Sequence, residues 1–430
     1  DIYTDYVTLY DFRLLFEECH QRYISLIIDF VFNHTSTQHE LFKSASDYLV
    51  NLDPGKEPDP KENPYVDYYH FTKEYDGSES YHRVANSDWY YEGVFWGEMP
   101  DLNLENPLVR DEIEAIADYW MELGVDGFRL DAAKEFYSGD KTRNIEILKW
   151  FSDYVVSVNP EVYVVGEVWD SHGAIKEYYT SGIISLFNFP YARYDGEITM
   201  MARQLGTSSA KKFGQMMEGV EDDFSESNPE FIDAPFISNH DTTRVSAQCV
   251  NNLDQMKIAA GLLMMSDGSP FVYYGEEIGM NSSGGKDENK RLPMNWSLTD
   301  ISGITDKPAN ADQVDQVFDP VDVQLRDPQS LLNYYKKAII IRNENPEIAR
   351  GDVTFDESLS SRTVCVVNKE YNGSKVTIIY NIDKEGTVLD LTGSDYEGLT
   401  VCGYLDVDGS GLVFENGQLS VGKYTIVILK

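Results

Sequence analysis

Three acidic residues each close a β-rich run: Asp131 after Gly127-Phe128-Arg129-Leu130, Glu167 after Val162-Tyr163-Val164-Val165-Gly166, and Asp241 after Phe236-Ile237-Ser238-Asn239-His240. Any one such acid more often caps the next helix or pairs with a neighbouring Arg. Three of them at strand ends describe acid–base and nucleophilic chemistry on one substrate, because parallel α/β barrels carry their chemistry on that rim. Cleavage of a glycosidic bond needs such a set. One carboxylate attacks C1, one carboxyl protonates the leaving oxygen, and a third offsets the positive charge that spreads over the ring. Arg129 lies two residues before Asp131 on the same strand face and is placed to lower that acid's pKa. Glu167, flanked by Val165, Val168 and Trp169, has the apolar surroundings that keep a carboxyl protonated. Asp241 is left for the third role, and His34 and His240, neutral and hydrogen-bonding, are expected to fix sugar hydroxyls.

The elements that must position these groups alternate. Asn106-Pro107 opens a helix with Val109, Ile113, Ile116, Trp120 and Leu123 on one face, Gly124 closes it, and a strand over 125–130 follows. A helix over 11–22 runs into an almost wholly apolar strand over 24–31, ending in Asn33-His34. After Asp131 come a helix near 145–158, strands at 162–167 and 183–189, a helix-rich span, the strand ending at Asp241, a helix over 257–266 and a last strand over 271–275. Such alternation implies a parallel sheet with helical crossovers.

Two stretches break the pattern. Residues 35–99 are rich in Pro, Gly, Asp and aromatics without periodicity, too long for a loop, and read as an inserted subdomain B. Beyond residue 351 short β runs at 363–368, 375–380, 387–391 and 424–429 predict a C-terminal antiparallel sandwich, 351–430, leaving 1–34 and 100–350 to the catalytic barrel. Residues 297–329 read as a polar surface excursion. Asp406-Val407-Asp408-Gly409 lacks a Glu at the twelfth position of a calcium loop and reads as a turn.

Composition bounds the partners. The chain has 430 residues, 42% of them hydrophobic, and no apolar run long enough to span a bilayer. Its 35 Lys plus Arg against 73 acids, a formal charge of −38, argue against nucleic acid or an anionic membrane and suit a neutral or cationic ligand. The 29 tyrosines offer stacking platforms for sugar rings. Cys19, Cys249, Cys365 and Cys402 show no metal spacing; Cys365 and Cys402 lie in strand-like runs and could pair, though free buried thiols are the better expectation.

Phe30-Val31-Phe32-Asn33-His34, residues 127–135, Gly166-Glu167-Val168-Trp169 and residues 237–241 occur in the order and spacing of the four sequence regions of the α-amylase family, glycoside hydrolase family 13, and Met99-Pro100-Asp101-Leu102-Asn103 resembles its fifth. The resemblance implies a TIM (β/α)8 barrel, a subdomain inserted after the third strand and a C-terminal β-sandwich. It makes Asp131 the nucleophile, Glu167 the acid/base and Asp241 the stabiliser of a retaining mechanism, with the first two carboxyls about 5–5.5 Å apart. His34, Arg129, Lys134, Trp169, His240 and Asp1 fall at substrate-binding positions, and Asn33, Asp101 and the carbonyl of Glu135 match the ligands of a structural calcium. The Met-Pro-Asp-Leu-Asn form resembles the group intermediate between oligo-1,6-glucosidases and neopullulanases, and Ala132 resembles α-1,4-acting members.

The implied activity is an α-amylase acting on starch and malto-oligosaccharides, and digestion of a large polysaccharide implies export from the cell. An oligo-1,6-glucosidase or neopullulanase, or a non-catalytic carbohydrate-binding relative, are the alternatives. One departure stands out: only six barrel strands are counted, Asp1-Ile2-Tyr3 resembles the stretch after the second strand, and this stretch alone is expected to be inactive or weakly active.

Overall fold

The computed structural model describes residues 8–75, 77–206, 208–282, 285–312 and 314–430; Asp1 lies outside them. Two compact units are present, Asp1–Trp169 with Glu177–Leu186, and Asp170–Lys176 with Phe187–Lys430.

In the first unit, helix α1 (Leu9–His20) leads to strand β1 (Ile27–Phe30), followed by α2 (Glu40–Val50) and the short strands β2 (Phe71–Thr72), β3 (Tyr81–Arg83) and β4 (Tyr90–Glu92). Helix α3 (Pro107–Glu122), β5 (Gly127–Leu130), α4 (Lys141–Val158) and β6 (Tyr163–Gly166) come next; α5 (His172–Tyr179) and β7 (Ser185–Asn188), which follow in the chain, are each divided between the two units. Strands β1, β5, β6 and the start of β7 pair in that order, all parallel. The register aligns Asp29 with Arg129 and Leu130 with Gly166, and so fixes which strand-end side chains are neighbours. Gly127 permits this approach, since a Cβ there would lie 2.3 Å from the Tyr163 carbonyl oxygen.

Helix α3 begins as expected, with the Asn106 side chain accepting from Leu108 N–H and Pro107 in the first turn. Its buried stripe is Val109, Ile113 and Ala117; Ile116, expected on that stripe, is exposed. Residues 35–99 fold as a small helix-on-sheet unit with order β2-β4-β3, and Phe42 of α2 packs against Tyr69 and Tyr91 at 5.1 and 4.8 Å between ring centroids.

The second unit holds α6 (Glu197–Arg203), α7 (Ala210–Ser227), β8 (Ile232–Pro235), α8 (Val245–Gln248), α9 (Leu253–Met264), α10 (Val321–Gln324), α11 (Leu331–Glu344) and α12 (Glu347–Arg350). Two expected strands are shorter than the sequence suggests. The strand before Asp241 is Ile232–Pro235, six residues upstream of the acid, and the strand expected over 271–275 is reduced to a parallel bridge between Phe236 and Phe271. Side chains take over the backbone partners here: Asn239 Oδ1 accepts from the N–H groups of Asp241 and Thr242, and Thr242 Oγ1 accepts from Asn239 N–H. Residues 297–329 are mostly irregular yet not wholly a surface excursion, because Ala311 and Val314 bury against Ile278, Met280 and Leu292.

From residue 352 the strands β9 (Asp352–Phe355), β10 (Val364–Tyr371), β11 (Ser374–Asn381), β12 (Thr387–Asp390), β13 (Val401–Leu405), β14 (Leu412–Glu415), β15 (Gln418–Val421) and β16 (Thr425–Leu429) form two antiparallel sheets, ordered β13-β16-β11-β10-β9 and β12-β15-β14. The period-2 alternation of β11 splits two cores: Ile379 packs with Leu389 and Leu419 of the small sheet, whereas Ile378 and Tyr380 pack with Leu262, Leu263 and Ala338 of α9 and α11. The 406–409 segment is a turn, with Asp408 Oδ1 accepting from Ser410 N–H at 3.1 Å. All four cysteines are free, Cys402 among the exposed residues. No helix among the described residues is long and apolar enough to cross a membrane.

Candidate active site

Because Leu130 aligns with Gly166, the residue after each strand, Asp131 and Glu167, leaves the sheet at the same level on neighbouring strands. Arg129 joins them. Its Nη1 lies 2.5 Å from Asp131 Oδ1 and 2.8 Å from Asp29 Oδ1, and its Nη2 lies 3.0 Å from Glu167 Oε1. Burial disfavours the charge on Arg129, but Glu167, Asp29 and Asp131 outweigh that and hold the guanidinium more firmly protonated than usual. Three carboxylates therefore share one buried cation.

Glu167 is 8% exposed between fully buried Val165 and Val168, as the sequence suggests, yet its setting is not merely apolar. Besides Arg129, the N–H of Ala132 donates to its Oε2 at 3.2 Å. Ala132 reaches that carboxylate from a left-handed backbone, φ 50°, a conformation that costs a non-glycine residue about 1–3 kcal/mol and that surrounding structure must impose.

His34 is held by an antiparallel bridge to Asp101, and burial lowers its pKa against the opposing pull of Asp131, so it is the neutral hydrogen-bonding imidazole expected. Lys134 Nζ donates to the Trp169 carbonyl at 3.3 Å, and the Trp169 ring is 40% exposed. Arg129, Asp131, Glu167, His34, Lys134 and Trp169 thus all belong to the first unit.

Asp241 and His240 belong to the second. His240 Nε2 lies 3.0 Å from Asp241 Oδ2, Arg291 Nη2 lies 2.9 Å from Oδ1, and Lys290 Nζ donates to the Asp241 carbonyl at 2.6 Å. Burial pushes the Asp241 pKa up, but the His240 and Arg291 contacts prevail and hold it below the usual carboxylate range. That suits a group whose task is to stay charged. Asp29 and Arg291 were not anticipated from sequence; a lone acid inside the apolar 24–31 run was the only available pointer to the first.

The residues expected to hold calcium leave one donor unmet. Asn33 Oδ1 is buried with no hydrogen-bond partner, while Asn33 Nδ2 lies 3.3 Å from Asp101 Oδ1. Asp101 is 5% exposed, and burial, with Glu92 and Glu135 adding to it, drives its pKa to about 7 despite the N–H of Val94 on Oδ2. The Glu135 side chain is engaged by Ser138 Oγ at 3.0 Å, which leaves the backbone carbonyl as its contribution. No group of three His, Cys, Asp or Glu side chains close enough to hold a metal occurs among the described residues. An amide oxygen, a carboxylate and a carbonyl are nonetheless the hard donors that calcium takes, and the orphaned Asn33 oxygen fits such an ion.

Comparison with known proteins shows what the chain is similar to. Residues 1–351 match the family model described as alpha amylase, catalytic domain. Alpha-amylase 3 of Dictyoglomus thermophilum is 36% identical over 394 residues, covering 89% of this chain and 73% of that protein. Neopullulanase 2 of Thermoactinomyces vulgaris is 26% identical over 417 residues, covering 90% of this chain and 59% of the relative. Among solved structures, Eubacterium rectale Amy13B superposes with a TM-score of 0.94 at 38% identity, covering 98% of this chain and 82% of that one. The α-amylase from H. orenii gives 0.82 at 29% identity, covering 100% and 84%.

Proposed function

We propose that this chain, which belongs to the α-amylase family of glycoside hydrolases and shares its TIM-barrel fold, cleaves α-1,4-glucosidic bonds of starch and malto-oligosaccharides with retention of configuration. The observation that carries the reading is the shared contact of Arg129 with Asp131 and Glu167, which sets two carboxylates on the prongs of one fork. Asp131 attacks C1 as Glu167 gives its proton to the leaving oxygen, so the C1–O bond breaks and a covalent glycosyl-enzyme forms. Glu167, now a carboxylate, takes a proton from water, and the resulting hydroxide displaces Asp131 from C1. Asp241 stays ionised and offsets the charge on the ring, and His34 and His240 hold hydroxyls. Lys134 and Trp169 meet the leaving-group side, and Asp1 completes the substrate-binding set.

Asn33, Asp101 and the Glu135 carbonyl would hold a calcium ion, which supplies charge compensation for the buried Asp101 and braces residues 33–34 against 101–102. Release of the enzyme from the cell fits a polymeric substrate. The α-1,4 preference rests on Ala132 after the nucleophile and on the α-amylase names of the relatives at 36% and 29% identity. An oligo-1,6-glucosidase or neopullulanase activity is the competing reading, since a relative named neopullulanase covers as much of the chain. Assaying maltohexaose against panose decides between them: preferential release of malto-oligosaccharides from the first supports this reading, and faster cleavage of the α-1,6 bond of panose overturns it.

A further inference from the structure

Trp96 presents its ring to solvent in a segment whose backbone leaves it little freedom. It is 61% exposed, with Phe95 beside it at 47%. Among the described residues Trp96 makes no ring contact and no side-chain hydrogen bond. An exposed indole on a mobile loop would mean little, but this loop is pinned on both sides. Gly93 N–H donates to the Ser80 carbonyl at 2.8 Å, Val94 N–H to Asp101 Oδ2 at 3.0 Å, Met99 N–H to the Trp96 carbonyl at 2.8 Å and Thr37 N–H to the Glu98 carbonyl at 2.9 Å. The Tyr91 hydroxyl donates to the Gly97 carbonyl, and His82 Nδ1 lies 3.0 Å from where a Gly97 Cβ would be. Holding an unpartnered indole in water on so fixed a support is the arrangement of a preformed binding platform.

Its position names the occupant. Phe95 makes an edge contact with His34, 5.5 Å between ring centroids at 63°, and His34 feels the charge of Asp131. Trp96 follows Phe95 directly in the chain and belongs to the same unit as Asp131 and His34. Glucose rings carry an apolar face of axial C–H groups that packs on an indole, and the chain's acidity leaves neutral sugar the favoured guest. We infer that Trp96 is the stacking platform for a glucose unit of the α-glucan chain remote from the cleaved bond, with Phe95 seating His34, so that this loop sets the preference for longer substrates. The inference rests on the glucan-hydrolase reading of the site.

The test uses maltohexaose and maltotriose with Trp96→Ala and Trp96→Phe. The Ala variant is expected to raise KM for maltohexaose about tenfold with kcat little changed, as loss of one stacked apolar face predicts, and to leave maltotriose within about twofold. The Phe variant restores most of the loss. An equal effect of Trp96→Ala on both substrates, or none on either, overturns the platform. Binding is read separately by calorimetry in the Glu167→Gln background, where Trp96→Ala should weaken maltohexaose binding about tenfold. An affinity unchanged by Trp96→Ala also overturns it. A wild-type enzyme that binds maltohexaose through Trp96 yet cleaves no α-glucan would instead overturn the hydrolase reading and leave the platform standing.

Discussion

Arg129 Nη2 stands 3.0 Å from Glu167 Oε1, although the two residues lie on separate strands. The same guanidinium meets Asp131, so the cation bridges the two groups assigned to attack and protonation. Its loss would leave three acids at close quarters without compensation. Arg129→Ala is expected to lower kcat roughly 10²- to 10⁴-fold and to destabilise the fold by about 3–5 kcal/mol, because a buried charge pair is broken on one side. Steady-state kinetics on maltohexaose with urea unfolding reads both; a variant with wild-type kcat denies Arg129 its place.

The two acids are separable by leaving group. Glu167→Gln should lose about 10²- to 10⁴-fold on maltohexaose and far less on an aryl maltoside whose phenol departs without a proton. Asp131→Asn should fail on both, since no bond to C1 forms. If the two variants respond alike to the aryl substrate, the division of roles is wrong.

Calcium removal reports on the orphaned Asn33 oxygen. Treatment with EDTA should lower Tm by several degrees, Ca²⁺ but not Mg²⁺ should restore it, and Asn33→Ala should erase the difference. A wild-type Tm indifferent to EDTA and added Ca²⁺ removes the metal from the account.

Stability should fall on the alkaline side through Glu221. Burial drives its pKa to about 8, Asp267 adds to the shift, and Lys369 with the N–H of Val353 opposes it. A carboxyl whose folded pKa is raised contributes stability fully below its unfolded value of about 4.3 and loses it as pH climbs through the folded value. Asp233 and Glu276, both at about 7 through burial, act with the same sign. Thermal scans from about pH 5 to 9 should show a Tm decline that Glu221→Gln flattens, the variant overtaking wild type at the alkaline end. Parallel curves for the two proteins would rule out this group as the cause.

Much of the site is legible in the chain alone. Strand, turn and acid are local patterns, so Asp131 and Glu167 at strand ends, the cap and Pro of α3, and the change to antiparallel sheets after residue 351 can be read from neighbours along the chain. For Asp241 the residue type is legible but its setting is not. The side chain of Asn239 competes with the ladder for backbone partners, and a propensity reading has no means of weighing that competition.

The sequence by itself determined the family and the strands that end before Asp131 and Glu167, because these depend on residue identity and spacing. The tertiary structure alone decided which groups meet. Asp29 reaches Arg129 through a register one hundred residues apart. Arg291 finds Asp241 across fifty. The left-handed turn at Ala132 delivers an N–H to Glu167, and Trp96 is left uncovered on a pinned loop. Charge pairing, strain and exposure are properties of distances between segments, and no local pattern encodes them.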